Sequence, residues 1–66
     1  MRIIINGDAE TVDDGAAISD LLDKFGLTPQ RVAVEVNEAL VPRAGFPETR
    51  LHEGDRVEIV TLVGGG

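Results

Sequence analysis

The sequence contains no cysteine, tryptophan or tyrosine, and phenylalanine occurs only at Phe25 and Phe46. Without cysteine the chain can form no disulfide, bind no metal through thiolates and use no cysteine nucleophile. With so few aromatic side chains, the hydrophobic core must be built from isoleucine, valine and leucine. These absences exclude several classes of protein and predict a small aliphatic core.

Long hydrophobic runs are also absent. No segment approaches the roughly 20 apolar residues of a membrane span, and the apolar stretch at Ile3–Ile5 is too short for a signal peptide. At 66 residues the chain is one domain, and a domain this small buries only about 60% of its unfolded surface. We therefore expect a cytoplasmic protein without a large internal active site.

Basic residues are scarce, with 6 Lys and Arg against 12 Asp and Glu and a net charge of −6. Nucleic-acid binding requires clustered cations that displace counterions, so the composition argues against it. An acidic surface favours a partner with a basic surface, although many small domains are acidic without such a partner.

Side chains that could carry chemistry are few. His52 is the only histidine and lies beside a predicted turn, which favours an exposed loop residue over a catalytic base. The acidic pairs Asp13-Asp14 and Glu53/Asp55 lack the ligand array of a calcium loop and are interpreted as turn formers. No serine or threonine has a base at a recognisable spacing. The sequence predicts neither a catalytic residue nor a metal site.

The spacing of apolar residues predicts the secondary structure. Asn6-Gly7 between residues 2–5 and 9–12 is typical of a type I′ hairpin. Residues 31–37 alternate as a strand, residues 39–41 return, and residues 44–50 are irregular. Residues 56–63 form the last strand.

One helix is predicted between the hairpin and the third strand. Ile18, Leu21, Leu22 and Phe25 follow the spacing i, i+3, i+4, i+7 of an apolar helical stripe. Gly26 fits the left-handed position that ends a helix, whereas Ala17 offers no oxygen to cap its start.

This order predicts an α+β protein of the ubiquitin-like β-grasp type. One main helix packs across one face of a mixed sheet of four or five strands, and the first and last strands are central. Residues 1–63 form the domain and residues 64–66 a flexible glycine tail. The expected core is Ile3, Ile5, Val12, Ile18, Leu21, Leu22, Phe25, Val34, Leu51, Val57 and Ile59.

The face of the sheet away from the helix is predicted to be a docking surface. If Val57 and Ile59 face the helix, alternation places Glu58, Val60 and Leu62 on the opposite face, with Ile4 beside them on the first strand. An uncovered apolar patch suggests a partner surface, although single exposed aliphatic residues are common.

The C-terminal residues Gly64-Gly65-Gly66 are the most informative feature of the chain. Glycine contributes little to a fold, but a glycine tail could thread into a narrow channel and present an unhindered carboxylate for reaction. The alternative is a frayed terminus. With no catalytic side chain elsewhere, the terminal carboxylate is the candidate reactive group and the domain a carrier for it.

The sequence resembles the ThiS family, the sulfur carrier proteins of thiamin biosynthesis. The resemblance covers essentially the whole chain; its most specific parts are residues 33–43, running from Val34-Glu35-Val36-Asn37 to Val41-Pro42-Arg43, and the closing glycines. The polar helix cap frequent in the family is missing at Ala17.

The resemblance implies a function and a set of partners. An E1-like adenylyltransferase (ThiF-type) would adenylate the carboxylate of Gly66, using ATP and Mg²⁺, while this chain holds no permanent cofactor. Sulfur from a desulfurase persulfide would replace AMP, and thiazole synthase (ThiG-type) would accept it from the thiocarboxylate. Gly65 and Gly66 match the reactive pair, and Gly64 extends it.

Several alternatives remain open from the sequence. The small subunit of molybdopterin synthase has the same fold and chemistry, although its chains are usually longer with proline-rich residues before the glycines. Carriers for other sulfur pathways are further candidates. From a different class, the chain could be a β-grasp interaction module whose tail never reacts.

Overall fold

The protein folds as a five-stranded mixed sheet with one α-helix across one face. The computed structural model describes residues 1–62, so the predictions for Val63 and the glycine tail lie outside the described residues. The strands are β1 (Arg2–Ile5), β2 (Asp8–Thr11), β3 (Val32–Val36), β4 (Ala39–Val41) and β5 (Arg56–Thr61), and the helix is α1 (Ile18–Lys24). Single 3₁₀ turns occupy Pro29–Arg31 and Arg43–Gly45.

The last strand lies in the middle of the sheet. The strand order is β2-β1-β5-β3-β4; β5 pairs parallel with β1 and antiparallel with β3. The predicted α+β fold with the first and last strands adjacent is confirmed. Among the described residues, no helix combines the length and the apolar character needed to cross a bilayer.

Both hairpins turn through left-handed backbone. Asn6 and Gly7 have φ of 50° and 90°, as a type I′ turn requires. Asn37 and Glu38 have φ of 51° and 71° in the second hairpin. Asn37 also fixes the start of β5, because its Oδ1 accepts from the Arg56 N–H at 3.0 Å.

The start of α1 is held by groups that the sequence did not reveal. Ala17 has no side-chain oxygen, but Asp20 Oδ2 accepts from the Ala17 N–H at 2.9 Å. The next two N–H groups, of Ile18 and Ser19, donate to the carbonyls of Thr49 and Phe46, each at 3.1 Å. The loop at residues 42–50 therefore satisfies donors that a helix otherwise leaves unpaired.

The end of α1 matches the prediction. Gly26 has φ of 68°, and its N–H donates to the Asp23 carbonyl at 3.1 Å. The Leu27 N–H reaches the Leu22 carbonyl at 2.8 Å, which completes a Schellman motif.

The core is aliphatic, as predicted, with one aromatic exchanged for the other. Phe25 was expected in the core but is 41% exposed, whereas Phe46 is only 3% exposed. The prediction for Phe25 is wrong because the apolar stripe is buried only within α1, which ends at Lys24. Phe25 is the residue that caps the helix end, with its N–H still donating to the Leu21 carbonyl at 3.2 Å. Ile5 and Ile59 are only partly buried. The buried residues are Ile3, Val12, Ala17, Ile18, Leu21, Leu22, Val32, Val34, Phe46, Leu51 and Val57.

Candidate functional site

Alternate residues of β5 face opposite sides of the sheet. Val57 is buried under α1 and Ile59 is partly buried on the same side, whereas Glu58 is exposed. Val60 is 57% exposed and Leu62, just past the strand, is 48% exposed. We call the side that carries Glu58, Val60 and Leu62 the outer face. Glu58 and Val60 lie on β5, and Leu62 directly follows it, so all three precede the C-terminal residues.

Ile4 lies on the outer face but not beside Val60. Its partner on β5 is Arg56, four residues before Val60, and a strand advances about 3.3 Å per residue. The two aliphatic side chains are therefore roughly 13 Å apart along the strand direction. The expectation that Ile4, Val60 and Leu62 are neighbours was wrong for Ile4, because the parallel register of β1 and β5 is not visible in either segment alone.

Acidic residues separate the two apolar parts of the outer face. Glu58 is paired with Glu35 on β3, and Glu35 is paired with Leu40 on β4. The next outer-face pair toward the C-terminus of β5 is Val60 with Ala33. We call Ala33, Val60 and Leu62 the exit patch. A partner that covers the exit patch also meets the two carboxylates of Glu35 and Glu58.

Leu40 is also exposed on the outer face, at 67%, but it lies on β4 at the edge of the sheet and outside the exit patch. Its strand has only three residues, and a pattern that short does not determine which side faces the core. The register with Glu35 is what places Leu40 on the outer face.

The side chain of Asn6 extends the pairing between β1 and β5. Its Oδ1 accepts from the Ile59 N–H at 2.9 Å, and its Nδ2 donates to the Ile59 carbonyl at 3.1 Å. The carboxamide thus takes the place of a peptide group at the position where β1 has already turned. The sequence identified Asn6 only as a turn residue, and no local signal indicates the second role.

Two acidic residues of the turn before β5 accept hydrogen bonds from backbone N–H groups. Glu53 Oε1 accepts from the Arg2 N–H at 2.9 Å, and Asp55 Oδ2 accepts from the His52 N–H at 2.8 Å. The His52 side chain is exposed, with Nδ1 3.9 Å from Asp55 Oδ2. Within residues 1–62, no group of three or more histidine, aspartate or glutamate side chains is placed to hold a metal ion.

Asp14 makes the shortest ion pair among the described residues. The N-terminal ammonium of Met1 donates to Asp14 Oδ1 at 2.9 Å and to the Val12 carbonyl at 2.8 Å. The hydrogen bond from this ammonium, reinforced by its positive charge, lowers the pKa of the Asp14 carboxyl below its usual value of 3.8. The pair fixes the start of β1 and contributes nothing to the outer face.

Comparison with known proteins identifies the family. The sequence model of the ThiS family matches residues 3–66. The chain belongs to the ThiS family. The solved structure of the thiamine biosynthesis protein ThiS from Geobacter metallireducens superposes with a TM-score of 0.85, at 32% identity and full coverage of both chains. The sulfur carrier protein ThiS of Bacillus subtilis is 36% identical, over 94% of this chain and 96% of that protein.

Some relatives are much longer than this ThiS-family chain. A thiazole synthase from Paramagnetospirillum magneticum is 33% identical over all 66 residues, but the match covers only 20% of that protein. The chain thus spans about a fifth of such a relative. The ThiS-family match includes Gly64, Gly65 and Gly66, which the structure does not describe.

Proposed function

We propose that this protein is a sulfur carrier in thiamin biosynthesis, with the carboxylate of Gly66 as the reactive group. The observation that carries the proposal is the match of the ThiS family over residues 3–66, together with the similarity to a sulfur carrier protein over 96% of that protein's length.

The chemistry requires activation of the carboxylate, since a carboxylate is a poor electrophile at neutral pH. The Gly66 carboxylate attacks the α-phosphorus of ATP on an E1-like adenylyltransferase, with Mg²⁺, and pyrophosphate leaves. A persulfide sulfur from a desulfurase then attacks the carbonyl, and AMP leaves. Cleavage of the remaining S–S bond by a thiol gives the thiocarboxylate, whose sulfur thiazole synthase accepts.

The folded domain serves as the recognition element for these enzymes. The exit patch and the two glutamates beside it offer an apolar surface with acidic neighbours, which suits a partner surface of apolar and basic residues. Ile4 belongs to the proposed docking face but lies at its far end, beside Arg56. Because the exit patch lies on the strand that leads to the tail, a partner holding it has the terminal carboxylate within reach.

Deletion of Gly66 tests the proposal. Glycine has no side chain to pack against the core, so the circular dichroism spectrum and melting temperature should not change. Intact mass after incubation with the activating enzyme, ATP and a sulfur source should show the exchange of one oxygen for sulfur in the full chain and none in the truncated chain. Sulfur transfer by the truncated chain, or no mass change in the full chain with its cognate enzyme, would contradict the proposal.

A further inference from the structure

A second surface lies on the helix side of β5, opposite the exit patch. It is a groove of about 330 Å³ between the end of α1 and the last residues of β5. Its apolar wall is formed by Ile5, Phe25, Leu27 and Ile59, and Phe25 is the most exposed of them at 41%. We call it the helix-side groove. The end of α1 positions the Phe25 ring at the groove wall, where it can contact an apolar side chain of a partner.

Beside this groove, β5 continues past the end of β1. The last β1 residue paired with β5 is Ile5, opposite Val57, and the Asn6 carboxamide occupies the next position, at Ile59. Thr61 also lines the groove but lies beyond both. The Leu62 N–H donates to the Arg31 carbonyl at 2.7 Å, so strand alternation directs the N–H and C=O of Thr61 away from β3. They point to the side where β1 has ended, and an extended chain could pair with them there.

The rim of the groove is acidic. Asp8 and Glu10 lie on β2 with their side chains on the helix side, and both line the groove. The ion pairs in the described part of the chain join Met1 with Asp14 and His52 with Asp55, so neither rim carboxylate has a cation within 4.0 Å. A lysine or arginine of a partner would complement this rim.

We propose that the helix-side groove binds an extended segment of the enzyme that accepts the sulfur. This segment places an apolar side chain against Phe25 and Leu27, a lysine or arginine at Asp8 and Glu10, and backbone groups opposite Thr61. Adding a strand to an open backbone edge is a common mode of peptide recognition.

We assign the groove to the sulfur acceptor because the two sides of β5 present different residues and can bind different enzymes. The exit patch uses Val60 and Leu62, whereas the groove uses Ile59 and Thr61, so the activating enzyme and the acceptor would recognise alternate residues of one strand. The long relative named thiazole synthase contains a region similar to this chain. A region joined to the synthase in this way would keep a domain of this kind next to it. The inference rests on the proposed function.

The test separates formation of the thiocarboxylate, which we call charging, from transfer of its sulfur to the synthase, which we call delivery. Phe25→Ser and Asp8→Lys alter the groove, and Leu40→Ser is the matched control, since Leu40 is exposed on the outer face at the sheet edge. Thiocarboxylate formation is followed by intact mass, and delivery by thiazole formation with purified thiazole synthase. We expect both groove variants to raise the KM for delivery about tenfold or more while charging stays at the wild-type rate, and Leu40→Ser to change neither.

Direct binding provides a second readout that needs no sulfur chemistry. Titration calorimetry measures the dissociation constant between the synthase and the domain that carries no thiocarboxylate. This constant should rise with Phe25→Ser and with Asp8→Lys. Added salt should weaken the binding of Asp8→Lys less than the binding of the wild type. Asp8 is exposed on an edge strand, so Asp8→Lys tests the groove even if Phe25→Ser loses stability. The inference is overturned if Asp8→Lys and folded Phe25→Ser deliver sulfur and bind the synthase as the wild type does. It is also overturned if the variants lose charging as much as delivery. Either result leaves the proposed function intact. No charging of the wild type would overturn both.

Discussion

Asn6 combines two roles at one position, and two substitutions separate them. Asn6→Gly keeps the left-handed backbone but loses both hydrogen bonds to Ile59, so it should lower the free energy of unfolding by about 1–3 kcal/mol. Asn6→Ala loses the same hydrogen bonds but keeps a β-carbon at positive φ, so it should be about 1 kcal/mol less stable than Asn6→Gly. Chemical denaturation measures both values. Wild-type stability of Asn6→Gly would mean that the carboxamide contributes nothing to holding β5.

The ion pair of Asp14 should contribute less to the free energy of unfolding as the pH falls. Its pKa is lowered in the folded state, so its contribution is present above the unfolded pKa, the usual value of 3.8. The contribution is lost as the pH falls through the lower folded value. Asp14→Asn should therefore be slightly less stable than wild type at neutral pH and equal to it in strong acid.

Denaturation curves at a series of pH values check this, with Asp13→Asn as the control. Asp13 is a suitable control because it is the neighbouring aspartate and has no ion pair among the described residues. A difference between Asp14→Asn and wild type that grows on acidification would contradict the assignment.

At the scale of elements, the two phenylalanines should differ sharply in their effect on stability. Phe46→Ala removes a ring buried in the core and should cost about 3–5 kcal/mol. A domain of this size has roughly 3–10 kcal/mol in total, so most of the fold's stability would be lost. Phe25→Ala removes a half-exposed ring and should cost no more than about 1 kcal/mol.

Melting temperatures of the two variants measure this contrast. Phe25→Ala is the matched control for Phe46→Ala, because the chemical change is identical and only the burial differs. Equal losses in the two variants would mean that Phe25 supports the core as the helical stripe first predicted.

The elements themselves follow from the sequence where the signal is local. The Asn6-Gly7 turn, the alternation around Val34 and the glycine that ends α1 each depend on a few neighbouring residues. The position of Phe46 and the caps from the loop at residues 42–50 depend on contacts between distant segments. The same reason explains Ile4 and Leu40, since only strand register determines which outer-face residues meet.

At the scale of the whole molecule, Leu62→Asp tests the exit patch. Leu62 is half-exposed beyond β5, so the substitution should leave the melting temperature nearly unchanged. Burial of a leucine at an interface contributes about 1.5–3 kcal/mol, and tenfold in affinity is about 1.4 kcal/mol. We therefore expect at least about tenfold weaker binding to the activating enzyme, measured by calorimetry.

Leu40→Asp is the control for this experiment, with the same change on the same face but at the edge of the sheet. Equal weakening by both variants would mean that added negative charge, and not the exit patch, determines the affinity. A large fall in melting temperature of Leu62→Asp would mean that Leu62 supports the core.

The family prediction is confirmed for the molecule as a whole, and so is the β-grasp fold. Both rest on features spread along the chain, so an error at one residue, such as Phe25, does not alter them. The assignments of Gly65 and Gly66 as the reactive pair stay predictions, because they concern residues beyond Leu62.

The central position of β5 has a mechanical consequence. A force applied at Leu62 along the strand acts on two neighbours at once, the parallel β1 and the antiparallel β3. The inter-strand bonds then share the load in shear instead of opening one after another, as they would in a peeled edge strand. An enzyme could thus draw on the end of this chain, and release it again, without unravelling the domain that it holds.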